Sequence, residues 1–187
     1  IVYVGMGETE LRGNVLQGDG VYKSTDAGKT WAHVGLEKTL TVARIRVHPW
    51  NSDVVYVAAL GDPYAPNPDR GIFKTVDGGK TWRRIRGGST GLPGGDLGRI
   101  VIAFSQAQKG LVYAKVETNE NTAIYASLDS GDSWERRGTV NAQPMYYQNI
   151  HPDPKNPNRL YVPTVQTQVS EDGGRTFTCE PATSPAT

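Results

Sequence analysis

At 187 residues, with 20 basic and 19 acidic side chains and a formal net charge of +1, the chain carries no charge run of the kind that marks a nucleic-acid or membrane surface. No apolar stretch approaches the roughly 18–20 residues of a membrane span, no signal peptide is visible, and the single Cys179 excludes an internal disulfide. Hydrophobic content of 37%, with 22 glycines and 12 prolines, fits short half-buried strands joined by many turns.

Ile1-Val2-Tyr3-Val4 reads as a strand from the first residue, without a Met. Such a start is expected of a processed, truncated or partial product. The octad STDAGKTW (Ser24 to Trp31) follows. Arg44 to Val47 is a predicted strand ending in a His-Pro turn, and Val54 to Val57 is the next. Gly71 to Lys74 and Trp82 to Ile85 flank a second octad, TVDGGKTW (Thr75 to Trp82). The segment Ile102 to Val116 loosely repeats Val47 to Ala59, and SLDSGDSW (Ser127 to Trp134) is the third octad. Ile150 to Thr164 repeats the His-Pro turn and its strand, and SEDGGRTF (Ser170 to Phe177) is the fourth octad. Gly, Pro, Asn and Asp bound each apolar run, and no segment keeps a 3.6-residue period, so almost no helix is expected.

The octads share the pattern hydroxyl-x-Asp-x-Gly-x-hydroxyl-aromatic. Their aspartates, Asp26, Asp77, Asp129 and Asp172, are 51, 52 and 43 residues apart. A repeat of that length with several short strands per unit indicates a propeller blade. The expected fold is all-β, with blades of four antiparallel strands in one propeller domain over 1–187. The blades fall at about 1–35 (lacking its opening strand), 42–86, 97–138 and 145–180. Fifteen strands make three and three-quarter blades, an arc of a larger ring or a small propeller. Propellers usually hold roughly 4–8 blades, so the arc reading implies a larger chain or complex.

Each octad reads as a hairpin turn. Its Asp accepts bonds from backbone N–H groups. Gly28, Gly79, Gly131 and Gly174 sit where a side chain is hard to tolerate. Trp31, Trp82, Trp134 and Phe177 open the outer strand and wedge between sheets. Ser24, Thr75, Ser127 and Ser170 supply the leading hydroxyl. A catalytic or metal-binding role for these aspartates is the competing reading, but a catalytic group is not needed once per blade.

GDGVYKSTDAGKTWAHVGL, ARIRVHPWNSDVVYVAALG, RGIFKTVDGGKTW and MYYQNIHPDPKNPNRLYV resemble Asp-box (BNR-type) propellers. The nearest resemblance is to bacterial proteins with a sortilin-like N-terminal propeller, often labelled glycosyl hydrolases. The resemblance implies an extracellular or periplasmic location. It leaves function open, because the motif occurs in sialidases, xyloglucan-hydrolysing glycosidases, sortilin-type receptors and photosystem assembly factors. It also implies a further blade between Ile85 and Gly91, where this chain has only Arg86 to Thr90.

Strands that run up and down a blade place octads and His-Pro turns on one face. The loops between second and third strands, with the blade-to-blade links, lie on the other. That variable loop face is the expected binding face. Its candidates are Glu8, Glu10, Asp62, Tyr64, Asp69, Arg70, Tyr146 and Tyr147, with Asp19, Glu37, Asp96, Glu117 and Glu120 as further carboxylates. Glycoside hydrolysis uses two carboxylates roughly 5–9.5 Å apart, and no particular pair stands out. Tyr64, Tyr146, Tyr147 and Trp50 could stack on a sugar or peptide or pack between blades. His48 and His151 hold equivalent repeat positions, which points to turn packing. No zinc spacing, triad, phosphate loop or dinucleotide fingerprint appears, so no cofactor or metal is expected. The leading expectation is a binding scaffold for protein or glycan. A glycoside hydrolase whose site is incomplete in this chain, and an accessory subunit or assembly factor of a larger membrane complex, are the alternatives.

Overall fold

Strand pairing follows chain order. The computed structural model describes residues 1–9, 13–141 and 149–179. The first sheet is β1 (Val2–Gly5), β2 (Val21–Ser24) and β3 (Ala32–His33). The second is β4 (Val42–His48), β5 (Asn51–Ala59), β6 (Gly71–Thr75) and β7 (Arg83–Ile85). The third is β8 (Leu97–Phe104), β9 (Val112–Thr118), β10 (Thr122–Ser127) and β11 (Glu135–Val140). The fourth is β12 (His151–Pro152), β13 (Leu160–Val162), β14 (Gln168–Ser170) and β15 (Thr178–Cys179). All pairings are antiparallel and sequential, so each sheet is a meander. The described residues hold no α-helix and only two 3-10 turns, Glu37–Thr39 and Gly88–Thr90. The strands number three, four, four and four, as the repeat count predicts.

The blades stack in order. β4 packs on β1, and β8 packs on both β4 and β12. Successive side chains on a strand point to opposite sheet faces, so a middle strand serves two junctions at once. Val55, Val57 and Ala59 of β5 join Val21, Val42 and Phe73 between blades one and two. Tyr56 and Ala58 of the same strand join Ile100, Ile102 and Val116 between blades two and three. Val101, Tyr113 and Ile124 meet Ile150, Leu160 and Val162 between blades three and four. This two-sided demand explains why the middle strands read as apolar runs.

Polar clamps cross the same junctions. Lys23 Nζ donates to Gly78 O across the first, at 3.0 Å. Lys74 Nζ donates to Ser130 O across the second, at 2.7 Å. Each lysine immediately precedes the leading hydroxyl of its own octad and reaches the octad turn of the next blade. The tyrosines of the recurring Val-Tyr pairs do similar work: Tyr3 donates to Ser52 O, Tyr56 to Ser130 O and Tyr113 to Pro157 O. The short link Arg86 to Thr90 does not leave a gap. Thr90 O accepts a bond from Trp134 N at 2.7 Å, and Leu92 just beyond is buried against Trp134.

Candidate functional site

The octads form one hydrogen-bonded design four times. The leading hydroxyl accepts from the glycine N–H: Gly28 to Ser24 at 2.8 Å, Gly79 to Thr75 at 3.0 Å, Gly131 to Ser127 at 2.7 Å and Gly174 to Ser170 at 2.8 Å. The same hydroxyl donates to its Asp at 2.7–2.8 Å. The Asp then accepts the N–H and the hydroxyl of the residue four positions on, Thr30, Thr81, Ser133 or Thr176. The four glycines have φ between +81° and +93°, which a side chain rarely adopts. At Gly131 a Cβ would also stand 2.7 Å from the Tyr56 ring of the preceding blade.

These bonds favour ionised aspartates. The Thr30 hydroxyl, the Thr30 N–H and the Ser24 hydroxyl hold Asp26 down at about 2. Asp77 is held lower still, first by the Thr81 hydroxyl and then by that of Thr75. At Asp129 and Asp172 partial burial pushes upward, but the Ser133 and Thr176 bonds outweigh it and both are depressed. A carboxylate fixed in this way accepts hydrogen bonds and is a poor proton donor near neutral pH.

The octad aromatics meet the preceding blade. Trp82 Nε1 donates to Val34 O at 2.6 Å, Trp134 lies buried in the second junction, and Phe177 packs on the third. Trp31 departs from the expected inter-sheet wedge. It is 42% exposed and no described blade stands before it, although its indole N–H donates to Gly28 O at 3.1 Å just as that of buried Trp134 donates to Gly131 O.

On the loop face, Arg70 is a brace. Its guanidinium donates to Leu60 O at 2.6 Å, Asp62 O at 2.5 Å and Leu97 O at 2.5 Å, tying the 60–70 loop to itself and to blade three. Asp62 Oδ1 accepts Tyr64 N at 2.8 Å, and Asn67 Oδ1 accepts Asp69 N at 2.7 Å. Tyr64 stands 63% exposed on this loop. Other carboxylates also bind their own neighbourhoods. Glu8 accepts Leu16 N, Asp19 accepts the Tyr22 hydroxyl, and Glu117 accepts Arg99 N. Glu10, Tyr146 and Tyr147 lie outside the described residues. Among the described residues, no group of three or more His, Cys, Asp or Glu side chains could hold a metal ion.

Sequence reasoning missed a cavity on the opposite face. The octad ends of β4, β8 and β12 converge around about 410 Å³, lined by Arg46, Phe104, Gln106, Ile150, His151 and Pro152 among others. The recurring His-Pro turns at His48 and His151 were its available signal, because they bring the same end of blades two and four to either side of β8.

No protein-family model matches the chain. Two curated relatives do: the vacuolar protein sorting/targeting protein 10 of Chaetomium globosum, 28% identical over 101 residues, and the oligoxyloglucan-reducing end-specific xyloglucanase of Emericella nidulans, 29% identical over 102. The matches take in 51% and 54% of this chain but only 6% and 11% of those proteins. Among solved structures, an ancestral GH74 enzyme matches with a TM-score of 0.66 and 19% identity, over 89% of this chain and 22% of that one. YCF48 bound to D1 peptide matches with a TM-score of 0.51 and 19% identity, over 91% and 50%. The fold is a β-propeller of the sortilin and GH74 type.

Proposed function

We propose that this propeller is a binding scaffold of a secreted or periplasmic protein, presenting its loop face to a protein or glycan ligand. The observation that carries this reading is the Arg70-braced loop. Four carbonyls take the guanidinium, the fourth being Ala65 O, and side-chain caps fix the turn, so Tyr64 is offered on a preorganised support. A ligand docking there loses little loop entropy, and an exposed aromatic is a suitable anchor for a sugar or a peptide. The YCF48 neighbour bound to a peptide supports use of this fold in protein recognition.

A glycoside hydrolase is the second reading, favoured by the likeness to a xyloglucanase. The loop-face carboxylates weigh against it, since Glu8, Asp62 and Glu117 are engaged by local N–H groups. One experiment separates the two. Xyloglucan oligosaccharides and a peptide panel are titrated against the chain, and reducing ends are measured after incubation with the oligosaccharides. Binding without new reducing ends, weakened at least tenfold by Tyr64→Ala, is expected. Reducing-end release that disappears in Asp62→Asn or Asp69→Asn would establish the hydrolase instead.

A further inference from the structure

The axial cavity on the octad face is a cationic pocket with walls about half apolar and half polar. Val47, Pro49, Phe104, Ile150 and Pro152 supply the apolar surface, none of the described lining residues is acidic, and Arg46 is the charged group. Its guanidinium is aimed by two carbonyls, Nε to Ile102 O at 3.1 Å and Nη1 to Ile45 O at 3.4 Å. No described carboxylate pairs with it, and its charged neighbour is another cation, Arg44. Arg44 in turn spends one nitrogen on Asn149 Oδ1 at 2.6 Å and leaves its buried Nε without a partner. A half-buried guanidinium held only by neutral carbonyls is well placed to pair with an oxyanion.

Beside the cavity stands Trp50, 60% exposed. It is supported from below by a row of rings in edge contact. His48 lies 5.5 Å from Trp50, Phe104 lies 5.4 Å from His48, and Tyr56 lies 5.2 Å from Phe104. Phe104 also lines the cavity, so the platform and the pocket share a wall. Burial, and then Lys109 and Lys74, push the His48 pKa down. The imidazole therefore favours its neutral form.

A large exposed aromatic on a rigid base binds the face of a sugar ring, and a cation in a partly apolar pocket binds a carboxylate. We propose that the axial cavity and Trp50 form a second binding site, for an acidic saccharide, with a uronate carboxylate paired to Arg46 and a sugar ring stacked on Trp50. The site lies on the face opposite Tyr64 and does not depend on the loop-face reading.

Calorimetric titration of the 187-residue chain with trigalacturonate, and with neutral galactotriose, tests this. Trigalacturonate binds, and galactotriose binds at least tenfold more weakly. Arg46→Gln weakens trigalacturonate at least tenfold and narrows the gap to galactotriose. Trp50→Ala removes measurable binding of both, and Trp50→Phe retains it. Because Trp50 is exposed, its variants separate lost recognition from lost folding, which circular dichroism checks. Failure of trigalacturonate to bind, equal binding of galactotriose, or wild-type affinity in Trp50→Ala would overturn the proposal. Loss on Tyr64→Ala with Trp50→Ala unaffected would place the saccharide on the loop face, supporting that reading and overturning this one.

Discussion

Each octad aspartate gathers two hydroxyls and at least one N–H, and that density of donors makes the turn an acid-sensitive element. A carboxylate whose folded pKa is depressed contributes stability that is fully present above its unfolded value, 3.8 for Asp26. That stability is lost as pH falls towards the folded value, about 2 for Asp26. All four octad aspartates shift the same way, so their effects act together. The thermal midpoint should therefore stay level from pH 7 to about 5 and fall steadily below about 4. Asp77→Asn should lower the midpoint at neutral pH and make the acid fall shallower, because one of the four titrating groups is gone. A calorimetric series in pH checks both, and an acid limb as steep in Asp77→Asn as in the wild type would show that other groups carry it.

The octad motif was enough to locate four hairpin turns, but equal motifs do not make equal junctions. Trp134 is 6% exposed between two described blades, whereas Trp31 has no described blade before it. Trp134→Ala should cost about 3–5 kcal/mol, as buried aromatic truncations do. Trp31→Ala should cost about 1 kcal/mol, because little packing is lost at an exposed site. Chemical denaturation of the two variants decides, and equal costs would mean that Trp31 is covered in solution. The difference marks the limit of what the sequence could say. The hydroxyl, Asp, Gly and aromatic at fixed spacing dictate a local turn, and short apolar runs bounded by turn residues dictate strands, so turns and strands were legible. Neither Arg70 nor Arg46 announces its role, because one braces a loop through carbonyls ten and twenty-seven residues away and the other lines a cavity that exists only where three blades converge. Such contacts leave no local pattern.

In a chain of sequentially stacked units, stability is roughly a sum of unit and nearest-neighbour terms. Blades two and three have a described neighbour on both sides. Blade one shows Ile1, Val2 and Val4 to solvent alongside Trp31, and blade four shows Val165, 71% exposed. Blade four also has shorter middle strands, three residues each in β13 and β14, against nine and five in β5 and β6. Lysine clamps tie blade one to blade two and blade two to blade three, whereas Ala126 holds the equivalent position in blade three, so no such clamp reaches blade four. Local opening should accordingly begin at the two ends of the arc and spare its middle. Native-state hydrogen exchange should find the slowest amides in β5, β6, β9 and β10, and exchange at least tenfold faster in β2, β13 and β14. Uniform protection across all four sheets would mean that the outer faces of blades one and four are covered in solution.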